Sequence, residues 1–207
     1  MTDASFEDEL RDEHATELSR LGSSKALYAD TAGEMEAETV LAAVADAEYA
    51  ATETFDSWAT SESNAVASVF SAVATQERDH YETVIDAIDG EHEPASEPSA
   101  LQATLREQTD TFERIGAFIG RTIVAEKSKE QVTGFFVGQA DPQTAQTFRS
   151  MGSDLDEQLE SGATLLKECD ESERERAFDA ASDAITAAYD EYTEQLEAMG
   201  VNPKPVC

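Results

Sequence analysis

Apolar residues return every three or four positions along almost the whole chain, and no useful stretch alternates with a period of two. A period near 3.6 residues leaves one stripe per segment to bury, and packing helix on helix buries it. The chain is therefore read as all-α. Residues 4–21 form a short amphipathic helix carrying Phe6, Leu10, Leu18 and Leu21, broken at Gly22, with a further turn or two over 25–32. A long helix spans about 34–59, its stripe including Leu41, Val44, Glu48, Phe55 and Trp58. After the polar turn 60–64 a second runs to about 88, with Phe70, Val73, Glu77, His80 and Val84 on its stripe. Residues 89–99 hold a glycine, two prolines and no apolar period, the clearest loop in the chain. A third long helix covers about 100–139, with Gly116, Gly120 and Gly134 as places for a bend. Asp141 and Pro142 have the residue types that cap and open a fourth. A fifth runs over about 172–199 and stops at Gly200.

Charge narrows the functions open to such a chain. There are 45 acids against 14 bases in 207 residues, a net charge of −31. Binding nucleic acid takes clustered Lys and Arg, and an anionic lipid surface would repel this chain. The acids are spread through the periodic segments, and lysine occurs five times. A folded, acidic, lysine-poor chain suits a salt-rich cytoplasm, where screening reduces self-repulsion. The first twenty residues are acid-rich, and no apolar run approaches the ~18 residues of a membrane span. The expectation is a cytoplasmic protein of a halophile that pairs as a homodimer, with neither nucleic acid nor membrane as partner. Cys169 and Cys207 cannot build a disulfide framework or a four-thiolate metal site, and are read as free thiols.

Displacing the sequence by 78 residues brings Glu48 onto Glu126, Trp58 onto Phe136, Phe70 onto Phe148 and Asn64 onto Pro142. The chain thus reads as two related helical hairpins, and two hairpins with a longer connection make a four-helix bundle. The loop at 89–99 is just long enough for a crossover along the bundle. A short return with an overhanging third helix fits equally well.

Glu48, Glu77 and Glu126 sit on buried stripes at similar heights, twelve, thirteen and fifteen residues from the hairpin turns. His80 follows Glu77 by one turn. Carboxylates at such positions are costly to bury without partners. Two kinds of partner stay open. One is a metal ion held by oxygen and imidazole. The other is a polar layer, with Glu77 and His80 bonded to each other or to Tyr49 or Tyr81.

A Glu on one helix, Glu-x-x-His on the next and a Glu on the third resembles the ligand pattern of the ferritin-like superfamily. The stretches AEYAATETFDSW, FSAVATQERDHYETV and FFVGQADPQTAQTFRSM look like its rubrerythrin branch. RLGSSKALYADTAGEMEAETVL and the terminal NPKPVC are similar to haloarchaeal members of that family. The resemblance implies a ferritin-like four-helix bundle over roughly 35–166, iron as the metal, and redox chemistry linked to oxygen or peroxide. By residue it carries over onto Glu48, Glu77, His80 and Glu126. It also breaks down at one place: the second Glu-x-x-His reads Leu155-x-x-Gln158. Neither His14 nor His92 has a Glu three residues before it, and both are read as solvated or capping. Glu157 and Glu160 point off the stripe. A di-iron centre of this type takes about six protein ligands, and four are present. The expectation is a degenerate site holding one ion, iron, with manganese or zinc suited to the same donors. If active, the protein would be an iron-dependent oxidoreductase drawing on an external reductant, because two distant cysteines cannot form a rubredoxin module. The alternative is a metal-free bundle with an interaction or structural role, acting through the fifth helix, the N-terminal helix or a homodimer face. The division expected is an N-terminal extension over 1–33, the bundle over 34–169, and a C-terminal helix and tail over 170–207.

Overall fold

The computed structural model describes residues 5–88 and 90–204, which leaves the loop residue Asp89 and the terminal Cys207 outside it. The described residues are all-α, with no strand. In chain order they form α1 (Phe6–Glu13), α2 (Ala15–Leu21), α3 (Ser24–Asp30), α4 (Ala37–Ser61), α5 (Asn64–Ile85), α6 (Ala100–Glu107), α7 (Thr111–Gly138), α8 (Pro142–Leu165) and α9 (Glu171–Ala198). None of these helices is long and apolar enough to cross a membrane.

Two stretches expected as single helices are divided. The N-terminal one breaks at His14, which ends α1 and begins α2. The stretch over 100–139 breaks at 108–110. There Asp110 accepts hydrogen bonds from the Phe112 and Glu113 N–H groups, and the Glu113 side chain returns to the Asp110 N–H. This reciprocal cap starts a new helix even though the apolar period continues across it. Asp141 caps α8, with Pro142 in the first turn as expected.

The bundle has the crossover connection. Thr111 Oγ1 donates to Glu62 at the end of α4 (3.0 Å), and Arg114 pairs with the same carboxylate (2.7 Å). Further along, Phe55 packs on Phe118, and Lys129 reaches Glu48 nearer the start of α4. So α4 and α7 are antiparallel, and α5 and α7 are parallel. The connection after α5 must therefore travel back along the bundle. It passes Asp46, which accepts the Ala95 N–H at 2.8 Å, and then Thr54, which accepts from Arg106 at 3.0 Å. His92 helps hold it in place. Its side chain is buried rather than solvated, between Asp46 at 3.2 Å and the Tyr81 hydroxyl at 3.3 Å. His14 is buried as well.

Gly116 and Gly120, inside the continuous helix α7, admit α9. A Cβ on Gly116 would lie 1.8 Å from the Ala177 carbonyl oxygen, and one on Gly120 2.4 Å from that of Ala181. The two helices thus run parallel in backbone contact. The facing Ala177, Ala180, Ala181, Ala184 and Ala188 are all buried. The N-terminal helices lie against this pair: Phe6 stacks edge-on against Phe178, and Arg174 pairs with Glu9 at 2.8 Å. One apolar cluster includes Phe6, Phe55, Phe118 and Ile185, and so draws on the N-terminal helices, both hairpins and α9. A second, around Val44, Val84, Val132 and Phe148, fills the other end of the bundle. The charged residues described next lie between the two.

Candidate functional site

Four helices each send polar side chains into the layer between the apolar clusters. Glu48 projects from α4, Glu77 and His80 from α5, Arg121 and Lys129 from α7, and Gln158 from α8, all buried. Asp154, one turn before Gln158, reaches the layer from a partly exposed position. Glu48, Glu77 and His80 each offer a ligand atom within 4.8 Å of the others'. Three of the four expected site residues therefore converge. Glu126 does not: its half-buried carboxylate pairs with Arg11 of α1. The repeat places Glu126 at the right height along the bundle, but Lys129, one turn further, takes the inward position.

The acids are heavily engaged. Arg121 donates Nη1 and Nη2 to the two oxygens of Glu77 at 2.8 and 2.9 Å, a bidentate pair. Gln158 Nε2 adds a third hydrogen bond to Glu77, at 2.8 Å. Lys129 Nζ donates to Glu48 Oε1. Burial opposes ionisation of Glu48, but Lys129, then His80 and Glu77, then Arg121 outweigh it and hold its carboxyl well below the usual range. Burial pushes Glu77 up, and the neighbouring Glu48 charge adds to this against the pull of Arg121.

One contact in the layer is incomplete. His80 Nε2 meets Asp154 Oδ2 at 2.9 Å, while Nδ1 faces Glu48 Oε2 at 3.8 Å. Among the described residues, neither Nδ1 nor that oxygen has a hydrogen-bond partner. A neutral imidazole keeps its proton on the nitrogen that Asp154 accepts from. Nδ1 would then turn a lone pair toward another buried lone pair. That arrangement calls for positive charge between the two, as a proton on Nδ1 or as a metal ion. Burial disfavours the imidazolium, but Glu48 and then Asp154 outweigh it and raise the His80 pKa above the ordinary value. The same contacts suit a metal ligand, since a carboxylate on one ring nitrogen orients the other toward an ion.

The remaining expectations for α8 are decided by its rotation. Leu155, which the 78-residue displacement sets opposite Glu77, is buried. Gln158 bonds Glu77 rather than His80, and Asp154 takes the histidine. Glu157 and Glu160 are exposed and add nothing to the layer. The sequence reading missed Arg121, Lys129 and Asp154. Arg121 did leave a signal, being the one charge in the run IGAFIGRTIVA. No protein family, no curated protein and no solved structure matches this chain.

Proposed function

We propose that the chain is a ferritin-like, rubrerythrin-related bundle whose degenerate centre holds a single metal ion, iron, through Glu48, Glu77 and His80. The observation that carries this reading is the facing pair of Glu48 Oε2 and His80 Nδ1, two buried lone-pair atoms without a hydrogen-bond partner among the described residues, the Arg121 guanidinium lying 4.0 Å from the oxygen. Oxygen and imidazole donors suit iron, with manganese and zinc as competitors. The crossover between two antiparallel hairpins supports the ferritin-like arrangement. A second ion does not fit the residues present. Arg121 and Gln158 fill Glu77 Oε1 and Arg121 takes one lone pair of Oε2, which leaves Glu77 room for one ion; Lys129 holds the other oxygen of Glu48, and Glu126 is turned toward Arg11. When bound, an iron ion supplies redox chemistry toward oxygen or peroxide. The chain's own groups position His80 through Asp154.

Elemental analysis of the protein purified in high salt tests the proposal. It expects about one ion per chain, lost in His80→Gln. A charge count favours a second reading. Glu48, Glu77 and Asp154 against Arg121 and Lys129 leave one negative charge, which a proton on His80 would neutralise. On that reading the layer is an ion-pair network in a metal-free interaction or structural protein, and elemental analysis finds no stoichiometric metal.

A further inference from the structure

A cleft of about 640 Å³ opens beside α4 and α7, walled by α3, the crossover residues 95–99 and α9. That volume is of the size that encloses a small organic ligand. Val124, Ala125, Ser128, Lys129 and Val132 line it from α7, at the three- and four-residue spacing of one helix face. Leu21, Leu27 and Val44 add apolar wall, and Glu48 lines it from α4. Of the five lysines in the chain, Lys129 is the one that lines this cleft and the one that is buried, at 5% exposure. Lys25, Lys127, Lys167 and Lys204 are half-buried or exposed.

A primary amine inside an apolar cleft is the group that captures a carbonyl carbon as an imine. The surroundings of Lys129 suit both the reaction and its product. Its Nζ donates to Glu48 Oε1. An iminium keeps the positive charge and one N–H on the same nitrogen, so Glu48 is not left as a buried charge without its partner. Glu48 is also the base at hand. One ammonium proton passes to Oε1, and the freed amine closes a C–N bond on the carbonyl carbon. A second proton moves from the nitrogen to the carbonyl oxygen. Glu48 returns the first to that oxygen, the C–O bond breaks and water leaves. Nothing is oxidised or reduced, and the layer keeps its charge. Asp30, Glu53, Glu97 and Glu191 also line the cleft and oppose an anionic carbonyl compound such as a keto acid.

We propose that Lys129 captures uncharged aldehydes with an apolar body and holds them in the cleft as an iminium paired with Glu48. The reaction requires no metal ion, and Glu48 turns its other oxygen to His80, so the capture stands or falls separately from the metal reading. Incubating the full, chelator-treated chain with 3-phenylpropanal and cyanoborohydride in ~1 M KCl tests it, the reduced adducts being located by peptide mass mapping. A buried amine without a binding cleft would react slowest of the five lysines. The expected result is one adduct per chain at Lys129, formed at least about tenfold faster than at the other four. Lys129→Arg, which keeps a charged partner for Glu48, is expected to lose it. Glyoxylate, an aldehyde that carries a carboxylate, is expected to favour Lys129 over the other lysines at least about tenfold less than 3-phenylpropanal does. Adducts spread evenly over the five lysines, or sparing Lys129, overturn the proposal, as does an equal preference with glyoxylate. If Lys129→Arg does not fold, the wild-type chain decides. Excess 3-phenylpropanol, the same body without the carbonyl, is expected to slow labelling at Lys129 and leave the other lysines unchanged. Equal rates with and without it place the reaction outside the cleft and overturn the proposal.

Discussion

Replacing Arg121 by leucine removes the side chain that engages both oxygens of Glu77 and leaves a carboxylate buried without its main partner. The expected cost is about 3–5 kcal/mol in urea unfolding. The double variant Arg121→Leu with Glu77→Leu is expected to recover most of that loss, because apolar packing then replaces the pair. Equal stability of the single and double variants would mean that the pair is not the partnership seen here. Asp30 gives a prediction of opposite sign. Its folded pKa of about 7 lies above the ordinary carboxylate value, so the unfolded chain ionises first as pH rises. Stability is therefore lost between the ordinary carboxylate range and about pH 7. Asp30→Asn is expected to flatten that part of the pH profile and to be the more stable form above it. The acids of the charge layer could be read from the sequence because they interrupt apolar stripes. Their bases could not be placed this way, because long side chains reach inward from positions beside the stripe. The repeat fixed the height of Glu126 but not its rotation about the helix axis.

Helix identity was legible wherever an apolar stripe was long, and the five long helices lie close to where the periodicity places them. Helix boundaries depended on capping chemistry. Asp110 and Glu113 end one helix and begin another inside an unbroken stripe, which periodicity alone cannot register. Direction and neighbours were less legible still. The crossover was one of two open choices, and the glycines of α7 were read as bends because a sequence does not show a second helix approaching. Their role can be tested. Gly116→Ala and Gly120→Ala would each drive a methyl into the α9 backbone, and each is expected to cost about 1–3 kcal/mol or more. Gly134 lies in the same helix with nothing near its missing Cβ. Gly134→Ala is expected to stabilise by about 0.5–1 kcal/mol through helix propensity. Similar effects at all three positions would show that α7 and α9 are not in backbone contact.

Across the whole molecule, a net charge of −31 must be held together by cores of ordinary apolar composition. The charge layer is internally balanced to within one unit, so the excess lies mainly in acids outside it. Self-repulsion then depends on ionic strength, with a screening length near ~3 Å at 1 M salt and ~30 Å at 0.01 M. The melting temperature is expected to fall steeply between those conditions, and a constant value would remove the halophile reading. The central claim, that one ion rather than two or none occupies the layer, is met most directly by anomalous diffraction. A crystal grown in high salt and equilibrated with ferrous iron or manganese would be measured at the metal's absorption edge. The expected result is a single peak between Glu48 Oε2 and His80 Nδ1, with Arg121 still on Glu77. A pair of peaks, or no peak at that position, would contradict it.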